Sequence, residues 1–409
     1  MKDDFLLNLV KLEGRQAWEG RKPPFNMEIV DLTNSSNYRV SASLHRKFKI
    51  VWLYENLLDE LRYTGWKTLL DEAIRLLGEE GFIVIRLRDN LIPSVPMIKA
   101  FLGRKIGIDC WIEYENQDQC SGLWTLVAKI RRRNLELYQE KAWTFAVLTG
   151  GTKVDNVVCF LQSIRDKDVN DNHEILVVGP QSDKYNKYNV KYVDVKQFRD
   201  EQYAEISKKK NVIIHAATKP NLMIVHDRYI LGENFFEGFE EYGYDFDFLT
   251  VKQYDKNGNE FPAYCATIDK LRLAGQIKVE NYNNLYETQY LNGGLIIFKT
   301  HTAKDIKFND LLMWNQMEDV EIAKVAMEKG VIPRINFIST ATTLDVKEGY
   351  LASWINESQY ANRLNSPFIG ISTKSHKAVL KRISKYVPRW IKQLELYQRL
   401  KMKIILQKR

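Results

Sequence analysis

The sequence predicts an α/β protein made of two wound α/β modules followed by a basic helical tail. Three observations carry that expectation. Strand-length apolar runs alternate with helix-length amphipathic segments from Phe48 onward, and the alternation starts afresh at Trp143. One run, Leu222-Met223-Ile224-Val225, stops abruptly on His226-Asp227-Arg228, as a strand buried on both faces does at the ligand-binding side of a parallel sheet. The positive charge is concentrated at one end. Residues 374–409 hold twelve Lys or Arg against one acid, Glu395, a net +11 that leaves −3 on residues 1–373 out of a total of +8.

At 409 residues the chain exceeds one typical domain. Its 45% hydrophobic and 27% charged residues place it among globular proteins. The four cysteines have no CxxC spacing, which argues against a zinc ribbon or disulfide framework and fits a reducing compartment. Met1 to Val10 is charged, and no apolar run approaches ~18 residues, so neither a signal peptide nor a spanning helix is expected. A cytoplasmic location follows. With the charge confined to the tail, nucleic acid is not an expected partner.

In chain order, Met27–Leu32 reads as a short strand and Phe48–Leu53 as a longer one. Leu57–Leu77 has helical spacing, and Gly78 and Gly81 punctuate before the strand Phe82–Leu87. Ile108–Glu113 and Leu123–Ile130 read as further strands. This order, with "LLDEAIRLLGEEGFIVIRLRDN" at its centre, resembles the second half of a class I methyltransferase domain over roughly residues 26–131. No glycine-rich loop follows a first strand, so the resemblance implies a partial, degenerate Rossmann-like module. Asp31 or Glu55 is the most that carries over toward a nucleoside cofactor. The module is taken as residues 1–135.

A charged, helical connection over 131–141 leads to the second module, 141–373. Trp143–Leu148 is its first strand and ends on Thr149-Gly150-Gly151-Thr152. A helix with Val154, Val157, Val158, Leu161 and Ile164 on one face follows, then strands Glu174–Val178 and Val190–Val193. A helix over 207–217 precedes the strand Leu222–Val225, giving βαββαβ.

"FAVLTGGTKVDNVVCFLQSIRD" and "KKKNVIIHAATKPNLMIVHDRY" resemble the opening units of GT-A glycosyltransferases, in particular inverting family 2, over about Trp143 to Arg334. The family places two acids, one residue apart, after the metal-site strand. Here Val225 stands at the first and Asp227 at the second, so the resemblance implies Asp227 as ligand of Mn²⁺ or Mg²⁺. It further implies donor contacts from Thr149, Gly150, Lys209, Lys210, Asn211 and Arg228, whose cations compensate a pyrophosphate. Asp183 is a candidate for the base- or ribose-contacting acid. Asn292-Gly293-Gly294 before the strand Leu295–Phe298, together with Trp314, are candidates for the acceptor side. Glu318-Asp319 is similar to the family's Glu-Asp pair, which implies Asp319 as general base beside Glu318. The residues support that chemistry, because adjacent acids raise one another's pKa at the head of a helix that steadies a carboxylate. The same pair also suits plain helix-dipole complementation. His301 is a candidate third metal ligand or a surface histidine, and His215 reads as a packed helix residue.

The tail, 374–409, places Val379, Ile383, Tyr386, Val387, Trp390, Ile391, Leu394 and Tyr397 among Lys and Arg, which suits an anionic membrane face, docking on its own domain, or a partner helix. The expected function is therefore transfer of a sugar from a nucleotide-sugar donor to a glycan or lipid-linked acceptor in surface polysaccharide synthesis. The alternatives are an S-adenosylmethionine-dependent methyltransferase acting on a glycan, and a non-catalytic scaffold of a glycan-assembly complex.

Overall fold

The computed structural model describes residues 4–55, 58, 65–88, 92–167, 172–193, 204–269, 274–346, 349–351 and 354–357. The expected basic helical tail lies outside the described residues.

The first module comprises α1 (Asp4–Val10), β1 (Gln16–Trp18), β2 (Glu28–Ile29), β3 (Phe48–Leu53), α2 (Trp66–Leu76), β4 (Leu77–Leu87), α3 (Val95–Arg104), β5 (Ile108–Gln117) and β6 (Trp124–Arg132). Its sheet order is β2-β1-β3-β4-β6-β5. Strands β2, β1, β3 and β4 run parallel, and β6 is inserted antiparallel between β4 and β5. The expected glycine turn before β4 does not exist. Helix α2 passes directly into the strand because Leu77 is fully buried in the core, and Gly78 and Gly81 lie inside β4, beside a register shift against β3. The expected helical connection over 131–141 is only a short turn at Leu135–Tyr138, drawn inward by Tyr138, whose hydroxyl donates to Asp247 at 2.7 Å.

The second module runs β7 (Trp143–Leu148), α4 (Val154–Arg165), β8 (Glu174–Val178), β9 (Lys191–Val193), α5 (Ile206–Ala216), β10 (Asn221–His226), β11 (Tyr229–Leu231), α6 (Phe235–Tyr242), β12 (Phe248–Asp255), β13 (Glu260–Phe261), β14 (Tyr264–Asp269), β15 (Ala274–Lys278), β16 (Gln289–Leu291), β17 (Leu295–Lys299), α7 (Thr300–Ile306), α8 (Glu318–Glu328), β18 (Pro333–Thr343) and β19 (Trp354–Asn356). The main sheet has the order β11-β18-β12-β17-β10-β7-β8-β9, with β13 paired to β12, and a smaller sheet has the order β16-β14-β15-β19. Strand β10 is central and buried on both faces, but its surroundings are mixed: β7 beside it is parallel, and β17 on the other side is antiparallel. Leu222 and Ile224 pack toward α5 and α8, whereas Met223 and Val225 pack toward α4 and α6.

The two modules meet along a buried ionic seam. Asp71 and Glu72 on α2 pair with Arg334 at 3.1 and 3.2 Å, and Arg75 pairs with Asp245 and Asp247 at 2.9 and 2.7 Å. Lys105 reaches Asp71 at 2.8 Å, Arg39 reaches Glu72 at 3.2 Å, and Arg132 reaches Asp245 at 2.8 Å. Burial alone would push Asp71, Glu72, Asp245 and Asp247 up. The guanidinium groups around them, and Lys105 beside Asp71 and Asp247, more than offset it and hold all four below the ordinary carboxylate range. Apolar contacts cross the same seam, since Leu285 and Ile332 belong to the first module's core.

Candidate functional site

The site forms where the carboxyl ends of β7, β8 and β10 meet the loop before β17. Thr149 follows β7, and its amide donates to Val178 O at 3.0 Å, which draws the ends of β7 and β8 together. Gly179 lies so close to that link that a Cβ there would stand 2.3 Å from Thr149 O. The Thr149 hydroxyl donates to Asp227 Oδ2 at 2.9 Å and accepts from the Gly151 amide at 3.0 Å. Asp227 is half-buried, and Asn156 on α4 donates to its carbonyl at 3.2 Å. Thus the lone carboxylate after β10 is oriented by the turn after β7.

Across β10, the His226 amide donates to Gly294 O at 2.9 Å and fixes the Gly293-Gly294 loop beside the strand end. The Gly293 amide donates to Asp319 Oδ2 at 3.0 Å, and Val320 N donates to Asp319 Oδ1 at 3.0 Å. The helix head approaches so tightly that a Cβ on Gly293 would lie 2.9 Å from Asp319 Cβ and 3.1 Å from Glu318 Oε1. Lys210, fully buried on α5, donates to Gly293 O at 3.0 Å and to Glu318 Oε1 at 3.2 Å. Burial, and then the neighbouring Glu318, push Asp319 up to about 7 against the opposing pull of Lys210 and the two amides. A half-buried carboxyl raised toward neutrality can accept a proton from a hydroxyl.

Arg228 lies over Tyr229 and Phe261, its carbon Cζ 5.4 and 5.8 Å from the two ring centres, and packs against Gly294. Trp314 is 44% exposed and Leu311 is 81% exposed, on the loop that precedes Glu318.

Several expected site residues have other places. Lys210 pairs with Glu318 rather than facing an open donor pocket, because the buried face of α5 includes it. Lys209 lies on that buried face too. The Asn211 amide donates to Phe308 O at 2.8 Å and Asp310 Oδ1 at 2.7 Å, so it fastens the loop after α7. Asn292 is 5% exposed and donates to Pro262 O at 3.0 Å, so it shapes the loop from inside. Gly150 and Asp183 are exposed on the β7–β8 side. His301 is not beside Asp227: β17 runs antiparallel to β10 with Lys299 opposite Asn221, so His301 belongs to the far end of the sheet, where its Nε2 is 3.2 Å from the Tyr138 hydroxyl. His215 is exposed rather than packed. The residue that sequence reasoning left without a role is His226, which had no signal beyond its place between Val225 and Asp227.

In the first module, the exposed Glu55 carboxylate is engaged by the turn after β1. Glu55 accepts from Trp18 Nε1 at 2.8 Å and from the Arg21 and Lys22 amides at 2.9 Å each. Asp31 accepts from the Asn34 amide and side chain at 3.1 Å each and so caps its own turn. Among the described residues no group of three or more His, Cys, Asp or Glu can by itself hold a metal ion, and no helix is long and apolar enough to cross a membrane.

No family model matches the chain, and no curated protein matches it. Among solved structures it is similar to residues 1–349 of TarS from S. aureus, at 18% identity and a TM-score of 0.35, over 50% of this chain and 60% of that one. It is similar to GalNAc-T7 crystallised with UDP, GalNAc and Mn²⁺, at 10% identity and a TM-score of 0.39, over 52% of this chain and 45% of that one. It is also similar to the mannosyltransferase PcManGT from Pyrobaculum calidifontis in complex with GDP-Man and Mn²⁺, at 13% identity and a TM-score of 0.36, over 65% of this chain and 88% of that one.

Proposed function

We propose that the chain is an inverting glycosyltransferase of the GT-A type that moves a sugar from a nucleotide-sugar donor to a glycan or lipid-linked acceptor in surface polysaccharide synthesis. The observation that carries the reading is Asp319: a half-buried carboxyl, raised to about 7, held by the Val320 amide and by the Gly293 amide, on a loop that His226, next to Asp227, ties to the end of β10. In this reading Asp319 takes the proton of the acceptor hydroxyl as its oxygen attacks the anomeric carbon, and the nucleoside diphosphate leaves from the opposite face. Glu318 and Lys210 hold the base in place, and Arg228 offers its guanidinium to the departing phosphates.

The residues fit a divalent cation in one limited sense. Asp227 supplies a single carboxylate whose second oxygen is engaged by Thr149, and Mg²⁺ or Mn²⁺ sites commonly complete themselves with substrate phosphates and water. When bound by Asp227, the cation would offset charge on the leaving diphosphate. Against a methyltransferase stands Glu55, whose carboxylate already accepts from Trp18 Nε1 and from the Arg21 and Lys22 amides. The basic tail remains part of the proposal as a contact for an anionic membrane: deleting residues 375–409 should weaken binding to anionic liposomes, and salt should mimic the deletion.

The experiment is a transfer and hydrolysis assay of the full chain with Mn²⁺ and UDP-GlcNAc, UDP-GalNAc, UDP-glucose and GDP-mannose, run beside Asp227→Ala. Turnover of one donor that is lost in the variant and in EDTA is the expected result. A wild-type chain that binds and turns over none of them overturns the reading.

A further inference from the structure

Leu311, Leu312, Met313 and Trp314 form an apolar run between α7 and α8, and none of the four is buried. Leu311, at 81% exposure, stands furthest into solvent. A single exposed leucine is ordinary, whereas a contiguous exposed apolar run marks a surface that meets something apolar. The loop is firmly held. Asn211 on α5 donates to Phe308 O at 2.8 Å and to Asp310 Oδ1 at 2.7 Å, and the Trp314 amide donates to Ala204 O at 2.9 Å. Within the loop, the Leu312 amide donates to Asn309 O at 3.0 Å, and Gln316 Oε1 accepts from the Met313 amide at 2.8 Å. The backbone is thus tied to α5 and to itself while the apolar side chains remain in water.

The loop runs straight into the head of α8, where Met317 is followed by Glu318 and Asp319. It therefore borders the site at Asp319. Leu351, 37% exposed, comes to the same loop system from elsewhere in the chain. It follows Tyr350, whose hydroxyl accepts from Asn292 Nδ2 at 3.3 Å, one residue before the Gly293 amide that holds Asp319. From Leu311 to Met317 no residue is charged, in a chain that is 27% charged. A phosphorylated or acidic acceptor finds no cation among these seven residues. A bare sugar needs partners for its hydroxyls and gains little from the aliphatic Leu311 and Leu312. A hydrocarbon chain gains from both.

We propose that this rim receives the hydrocarbon part of the acceptor, so that the hydroxyl presented to Asp319 belongs to an amphiphile and not to a free soluble sugar. This rests on the glycosyltransferase reading above and narrows its acceptor. The test is calorimetry on the full chain, with UDP and Mn²⁺ present, of n-octyl β-D-glucoside and methyl β-D-glucoside, both kept monomeric. The octyl glycoside should bind about tenfold or more tighter than the methyl one, which is what burial of two methylenes supplies. Leu311→Ser should remove most of that difference, with methyl glycoside affinity within about twofold of wild type, and Leu311→Met should keep it. The exposure of Leu311 leaves the fold intact in both variants. Equal affinity of the two glycosides for the wild type, or an octyl advantage that survives Leu311→Ser, overturns the proposal. If the surviving advantage comes with lost binding to acceptor-free liposomes, or with a dimer turned monomer, the rim is a bilayer contact or a self-contact instead. In each of these cases donor turnover in the nucleotide-sugar panel is unaffected and the glycosyltransferase reading stands. A wild-type chain that turns over no donor overturns both.

Discussion

A carboxylate at the head of a helix is ordinarily favoured as the anion by the amides around it; Asp319 is pushed the other way. Burial and Glu318 raise it to about 7, and Lys210 restrains the rise. If Asp319 is the base, turnover should climb as pH rises through about 7, since only the ionised form accepts a proton. Lys210→Met should move that acid limb to higher pH, and Glu318→Gln should move it lower. Asp319→Asn, which keeps shape but loses basicity, should lower kcat by ~10²–10⁴ with donor affinity close to wild type. A rate profile flat between about pH 5 and 9 removes Asp319 from this role. The adjacency of Glu318 and Asp319 at the head of an apolar helix was legible in the sequence. The partnership of Lys210 with Glu318 was not, because it depends on which face α5 turns toward α8.

At the scale of elements, the loop before β17 governs the site. The head of α8 lies against Gly293 with no room for a side chain, a Cβ there meeting Asp319 Cβ at 2.9 Å. Gly293→Ala should therefore displace Asp319 and, if Asp319 is the base, cut kcat strongly, while costing only about 1–3 kcal/mol of stability, as overpacking does. Wild-type turnover in a folded Gly293→Ala variant would show that the loop can yield without moving Asp319. Strands β7, β8 and β10 were legible as short apolar runs. The antiparallel entry of β17 was not, because its apolar run reads the same in either direction. The direct passage from α2 into β4 was missed because Leu77, buried by its neighbours, overrides the two glycines that follow it.

At the scale of the whole molecule, the two modules unfold together if the seam does what its geometry implies. Its charges come from Arg39, Asp71, Glu72, Arg75, Lys105, Arg132, Asp245, Asp247 and Arg334, scattered too widely in the chain for any sequence pattern to reveal them. Arg334 is central, because its guanidinium serves Asp71, Glu72 and the carbonyl of Asn37 at once. Arg334→Met would leave two buried carboxylates short of a partner, which typically costs about 3–5 kcal/mol. The four carboxylates held low by their partners contribute stability that is present above the ordinary carboxylate range. That stability is lost as pH falls below about 4 toward their folded-state values. Both perturbations, acid and Arg334→Met, should loosen the modules in step. Hydrogen exchange can read this directly, through amides of β3 and β4 in one module and of β7 and β10 in the other. Equal loss of protection in the two sheets is the expected result, since the seam ties α2 to the segment leading into β12 and to β18. If Arg334→Met weakens β7 and β10 while β3 and β4 keep wild-type protection, the seam is a local contact and the first module folds on its own.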